Sequence, residues 1–280
     1  MTRYKLLVLL AAAAVLAHAE LTQAEQHAHV IAAGDGGRVE WAVLGFSVRG
    51  RPIHGWYFNR GEGPPALVFA GIHGDERTAV ELGRRLRERW VNQPQRLEGR
   101  RVILVPAANP DGVEEGTRHN ARGVDLNRNF PVDWRHIRKG DYSYGGHRPL
   151  SEPESRVLAA LVAGGVSGDM RTGGSQSAEA GGSAPAVVVS IHSRLIYGGG
   201  VNNFDGPADA LAVLMAACNG YPVWREWRYR TPGSFGRYAG GSMHIPTLTL
   251  ELPIRITEER EWEANMQAVE AVIISRPPAR

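Results

Sequence analysis

The apolar run Ala66-Leu-Val-Phe-Ala70 leads straight into Gly71 and then into His73-Gly-Asp-Glu76, and this stretch constrains the fold more than any other. A short apolar run closed by glycine reads as a buried strand. From Asp75 to Trp90 the apolar residues Ala79, Leu82, Leu86 and Trp90 recur at helical spacing. His73 and Glu76 therefore lie where a strand gives way to a helix, and in open α/β sheets ligands bind in the crevice outside such strand ends. A histidine and a carboxylate held there can supply two of the three protein ligands of a catalytic zinc.

Further apolar runs predict the rest of a sheet. Val39–Gly45 and Arg51–Phe58 read as a hairpin joined by Phe46-Ser-Val-Arg-Gly50. Arg101–Pro106 and Ala186–Ile191 read as buried strands, and His192-Ser193 stands at the end of the second. Pro246–Leu252 alternates apolar with polar residues, a strand pattern that carries Glu251 near its carboxyl end. Helices are expected from Ser151, as N-cap, to about Ala163, from Pro207 to Cys218, and from Thr257 to Ile274. Asn109-Pro-Asp-Gly112 reads as a turn, residues 116–131 as a long loop, and Thr231–Gly241 as a second Gly-rich loop. Gly164–Ala184, rich in Gly, Ser and Ala, reads as a flexible insertion. The fold class is α/β, a mixed, mostly parallel twisted sheet flanked by helices.

Residues 1–19 have the pattern of a signal peptide: a basic start, twelve apolar residues from Leu6 to Ala17, and Ala17-His18-Ala19 as cleavage site. Twelve apolar residues are too few to span a bilayer. The expected organisation is a signal peptide (1–19), a flexible leader (20–37) and one catalytic domain (38–276), exported to a bacterial periplasm or secreted, with no stable membrane anchor after cleavage. The formal charge of +3 becomes almost neutral once Arg3 and Lys5 are removed, so the high pI implies no nucleic-acid partner. Cys218 is the single cysteine, which excludes an intrachain disulfide and a cysteine-based zinc cluster. His27 and His29 read as solvated residues of the leader.

Glu251 is informative because carboxylates are seldom buried without a partner. Beside a metal ion it would be placed to take a proton from water. His73-x-x-Glu76, Asn109-Pro-Asp-Gly112, Gly123-Val-Asp-Leu-Asn-Arg-Asn-Phe-Pro131, His192-Ser193 and Glu251 in a strand, in that order, resemble a zinc carboxypeptidase of the M14 type over roughly residues 40–275. The resemblance implies one Zn²⁺ per chain held by His73, Glu76 and His192. It implies Glu251 as general base, Arg118 as the group that polarises the scissile carbonyl, and Asn127 with Arg128 as the clamp on the substrate's terminal carboxylate. It further implies Asp125 as the carboxylate that orients His73, and Tyr238 as a substrate-binding residue near the family's mobile tyrosine. Arg122 can equally be a solvated loop arginine, and Asp111 and His244 read as structural.

Within that family the blocks HGDE, NPDG, VDLNRNFP, TPGSFG and LELP look most like the bacterial murein peptide amidases. That branch cuts the γ-D-glutamyl–diaminopimelate bond of cell-wall peptides, so a cell-wall peptide is the expected substrate. The alternatives are a general peptide carboxypeptidase, a zinc amidohydrolase that removes acyl groups from amino acids, and a wall-binding module that keeps a zinc site. The intact NPDG and Asn127-Arg-Asn129 oppose the second, and Glu251 opposes the third.

Overall fold

The computed structural model describes residues 29–32, 38–165, 183–195, 199–225 and 230–275. Among the described residues nine strands form one sheet: β1 (His29–Ala32), β2 (Arg38–Phe46), β3 (Pro52–Asn59), β4 (Ala66–Ala70), β5 (Arg101–Val105), β6 (Val187–Leu195), β7 (Val201–Asp205), β8 (Val223–Trp224) and β9 (Thr247–Pro253). Their spatial order is β1-β2-β3-β5-β4-β6-β9-β7-β8. The helices are α1 (Arg77–Asn92), α2 (Pro110–Glu115), α3 (Pro153–Val162), α4 (Asp209–Asn219) and α5 (Glu259–Ile274). The four central strands β5, β4, β6 and β9 are mutually parallel, while β1 to β3 and β7 join antiparallel on the two sides.

The composition of the central strands follows from their position. All five residues of β4 are buried, as expected for a parallel strand covered on both faces. One face carries Val68, Leu104, Val189 and Leu250 against Leu82, Leu86 and Trp90 of α1, Met215 of α4 and Val269 of α5. The other carries Leu67, Phe69 and Val188 against Leu158 of α3 and the loop residues Leu126, Phe130 and Phe235. Trp90 meets Phe58 edge-on at 5.6 Å and donates its indole N–H to Glu270 at 3.0 Å, which ties α1 to both the hairpin and α5.

Several expectations are corrected. Part of the leader is ordered, because His29–Ala32 pairs antiparallel with β2. Asn109-Pro-Asp-Gly112 starts a short helix: the Asn109 side chain accepts the Gly112 N–H, and proline occupies the first turn, where no amide hydrogen is needed. Ser151 is not the cap of α3, since its hydroxyl donates to Glu152 and accepts from Asn129. The 231–241 loop runs into a wide helical turn, Arg237–Ser242. Strand β6 continues past His192, with an irregularity between His192 and Leu195. Residues 1–28 and 33–37, which hold the signal-peptide reading and most of the leader, and residues 166–182 of the insertion lie outside the described residues. No described helix is long and apolar enough to cross a membrane.

Candidate metal centre and active-site cavity

The sheet order creates the site. From β4 the chain proceeds to β5 on one side, whereas β6 lies on the other, so the connections diverge at the carboxyl ends of β4 and β6. Such a switch point leaves a crevice between loops that part in opposite directions. His73 and Glu76 follow β4 and His192 comes from β6. Alternation along the strands does the remaining sorting. In β6, Val187, Val189 and Ile191 enter the α1 face, leaving Ser190 and His192 on the other side; in β9, Leu248, Leu250 and Leu252 do the same, leaving Thr249 and Glu251. His192 and Glu251 are register partners in neighbouring strands. The result is a cavity of about 430 Å³ lined by His73, Glu76, Arg118, Asn127, Arg128, Ser190, His192, Thr249 and Glu251.

His73, Glu76 and His192 are all buried, and their ligand atoms lie within 4.8 Å of one another. Nδ1 of His73 is 2.8 Å from one Glu76 oxygen, and Nδ1 of His192 is 3.0 Å from the other. The outer nitrogens are engaged elsewhere. Nε2 of His73 lies 3.1 Å from Asp125, an acceptor when ionised, and Nε2 of His192 lies 2.9 Å from the Ser190 hydroxyl. If each Nε2 carries the proton, each Nδ1 turns a lone pair toward a buried carboxylate. Two lone pairs and a carboxylate converging at buried positions suit a divalent cation, and two histidines with one glutamate form a known catalytic zinc set. The donors fit zinc.

The electrostatics keep both carboxylates ionised, as a cation site requires. Burial opposes ionisation of Glu76, but His73 and His192 override it and hold the carboxyl well below the usual range. Burial likewise opposes the charge on Asp125, and His73, Arg118 and Arg128 bring its pKa down. Burial also works against a charged His73, yet Glu76 and Asp125 outweigh it and raise its pKa. Carboxylates that hydrogen-bond the far nitrogen of a metal-binding histidine fix its orientation. Asp125→Asn is accordingly expected to weaken zinc binding by about 10–100-fold. Competition against a chromogenic chelator measures this, and an unchanged affinity would remove Asp125 from that role.

The 116–131 loop supplies the other walls. Arg118 donates from Nε and Nη2 to Asp125 at 3.1 and 2.9 Å, and its Nη1 lies 3.7 Å from Glu76. Burial disfavours its charge, while Asp125 and Glu76 raise its pKa. Asp125 caps the turn Leu126–Arg128 by accepting the Asn127 N–H at 3.0 Å, which sets Asn127 and Arg128 at the cavity wall. The Asn127 side-chain oxygen accepts the Phe235 N–H at 2.8 Å. Two backbone bonds, Phe130 N–H to Gly233 and Gly233 N–H to Val132, fasten the 231–236 segment to the same loop at 3.0 and 2.8 Å. Gly233 is needed at this seam: its φ is +68°, and a Cβ there would lie 2.3 Å from the Arg128 carbonyl oxygen.

The structure thus brings together eight of the nine expected site residues, seven lining the cavity and Asp125 behind them. Tyr238 is the exception. It stacks on Phe130 at 5.6 Å, packs into the core and does not line the cavity. Arg122 faces solvent beside Glu152, and Asp111 is a buried anchor for the hairpin loop, accepting from Arg49 N–H and from Arg51. His244 is exposed and adopts a left-handed φ of 55°. Sequence reading missed Ser190, although it lies two residues before His192 on the same strand face. It also missed Tyr142, whose ring lies 4.8 Å from the Arg118 guanidinium, and Asp205, both of which line the cavity.

Comparison with known proteins now bears on this site. The model of the family described as zinc carboxypeptidase matches residues 24–179. Murein peptide amidase A of Escherichia coli K12 is 31% identical over 204 residues, covering 67% of this chain and 70% of that protein. The protein of the same name from Vibrio campbellii is 29% identical over 247 residues, covering 83% and 87%. The crystal structure of murein-tripeptide amidase MpaA from E. coli O157 superposes with a TM-score of 0.63 at 26% identity, over 85% of this chain and 93% of that one. A match across more than half the sequence, laid over donors that suit zinc, carries the assignment: this chain is a hydrolase of the zinc carboxypeptidase family, Peptidase_M14.

Proposed function

We propose that the chain is an exported zinc carboxypeptidase that releases diaminopimelate from γ-D-glutamyl–diaminopimelate peptides of the cell wall. The observation that carries the reading is the presence of Asn127 and Arg128 in the same cavity as the His73, Glu76 and His192 donors. A guanidinium grips a carboxylate in a fork, so a substrate held there presents the amide bond next to its free carboxylate. The relatives called murein peptide amidases support the cell-wall substrate. The signal-peptide pattern of residues 1–19 supports export, and residues 38–276 form the catalytic domain.

Zinc, when bound by His73, Glu76 and His192, supplies Lewis acidity that polarises the scissile carbonyl and acidifies water. Glu251 takes the proton from the attacking water and later returns it to the leaving amine. Arg118, held by Asp125 through two N–H groups, keeps Nη1 toward the cavity, where negative charge develops on the carbonyl oxygen. Asn127 and Arg128 orient the terminal residue, and Asn127 is itself steadied by Phe235.

Mass analysis of products from tri-, tetra- and pentapeptide stems tests the substrate. Diaminopimelate should leave the tripeptide, longer stems should react more slowly, and a chelator should abolish both reactions. Preference for an ordinary L-peptide over the tripeptide in direct competition would overturn the cell-wall substrate and leave the zinc carboxypeptidase intact. Arg128→Ala should raise KM at least about tenfold with a smaller change in kcat, because the lost charged contact already exists in the ground state.

A further inference from the structure

The ring of Tyr142 rests on a group that the proposed chemistry needs. Its centroid lies 4.8 Å from the carbon of the Arg118 guanidinium, and both side chains line the active-site cavity. Tyr142 is 52% exposed, whereas the Arg118 side chain is only 11% exposed. Arg118 is held in a way that leaves it one freedom. Its Nε and Nη2 both donate to a single oxygen, Oδ2 of Asp125. The other oxygen, Oδ1, is engaged by the His73 ring and the Asn127 N–H. Two bonds that end on one atom form a pivot, whereas a bidentate fork would fix the plane. The Tyr142 ring opposes tilting about that pivot from the face of the guanidinium.

The placement of Tyr142 is tied to the segment that carries its cation. The His119 ring donates from Nε2 to the Tyr142 carbonyl at 2.9 Å and meets the phenol ring edge-on at 5.9 Å. The Asp125 N–H donates to the Tyr144 carbonyl at 2.8 Å. Between these two anchors the chain turns tightly. The Tyr144 N–H reaches the Asp141 carbonyl at 3.1 Å, and the Asp141 side chain accepts the Ser143 N–H at 2.9 Å. The residue after Arg118 and the carboxylate residue that Arg118 grips therefore both hold the turn that presents the ring.

We propose that Tyr142 is a positioning residue for the reaction, its ring holding the Arg118 guanidinium at the angle that aims Nη1 into the cavity. The inference rests on the role given to Arg118 above. A guanidinium is attracted to an aromatic face by the ring's quadrupole, so the ring and not the hydroxyl supplies the contact. Because the ring acts through Arg118, its contribution belongs to the step in which charge develops on the carbonyl oxygen.

The test compares Tyr142→Leu and Tyr142→Phe with the wild type, and repeats Tyr142→Leu in an Arg118→Ala background. The substrate is whichever of the cell-wall tripeptide and an ordinary L-peptide the wild type cleaves faster. Zinc content and the thermal unfolding midpoint establish that each variant is folded and loaded. Tyr142→Leu should lower kcat by about 3–30-fold, the span of a cation–π contact from exposed to desolvated, and move KM by less than about twofold. Tyr142→Phe keeps the ring and should return kcat to within about twofold of the wild type. Without Arg118 the leucine change should alter kcat by less than about twofold, because the group it positions is gone. An unimpaired Tyr142→Leu, an equal loss in Tyr142→Phe, or a loss that persists without Arg118 overturns the proposal. A change confined to KM also overturns it and makes the ring a substrate contact. If Arg118→Ala itself keeps the wild-type kcat, the role of Arg118 falls and the proposal falls with it. An impaired Arg118→Ala beside an unimpaired Tyr142→Leu removes the proposal alone.

Discussion

Glu251→Gln is expected to lower kcat by about 10²–10⁴-fold, the usual contribution of a positioned general base, while the protein keeps its zinc. Glu251 shares the cavity with the metal donors but does not belong to the group of His73, Glu76 and His192 whose ligand atoms converge. Its place in β9 is set by alternation with Leu250 and Leu252, which stay buried in the variant. The amide therefore occupies the same position and cannot accept the proton. Elemental analysis beside steady-state kinetics separates the outcomes. Loss of zinc from Glu251→Gln would make Glu251 a ligand and reject the proposed division of labour.

His73→Ala should behave differently, losing zinc and activity together. Two remaining protein ligands hold zinc poorly, and the change also strips Glu76 and Asp125 of the imidazole that both face. The loss extends to stability. Zinc at a hundred times its Kd should add about 2.7 kcal/mol to the wild type, and the thermal midpoint of His73→Ala should no longer respond to zinc. Full zinc occupancy in the variant would overturn the ligand assignment.

The metal donors and Glu251 were legible in the sequence because they stand at, or just beyond, the carboxyl ends of strands buried on both faces. Such strands are written in Val, Leu and Ile, and a polar residue at the carboxyl end of the run stands out. Asp205 was hidden for the opposite reason. Strand β7 reads Val-Asn-Asn-Phe-Asp, and its asparagines bond to partners remote in sequence: Asn202 to Asn219 and the Tyr221 carbonyl, and the Asn203 amide N–H to the Trp224 carbonyl. No local pattern announces such a strand. The helix at Asn109-Pro-Asp-Gly112 was misread because those four residues suit both a turn and a capped helix start, and only the longer-range contacts of Asp111 with Arg49 and Arg51 favour the second. Edge strand β1 depends on β2 for its pairing, which composition cannot report. Tyr238 fell out of the site because its ring lies on Phe130, a contact between loops far apart in the chain.

The seam between residues 127–132 and 231–236 has a consequence for inheritance and for engineering. The 231–236 segment of the cavity wall is stitched to the segment that would grip the substrate's carboxylate, through the Asn127 amide and the backbone at Phe130, Val132 and Gly233. The two are a single cassette although about a hundred residues separate them in the chain. A selectivity loop transplanted from another carboxypeptidase without its 127–132 counterpart would arrive with mismatched stitching and disturb the anchoring clamp. Exchange of the loop should therefore succeed only when residues 127–132 are moved with it.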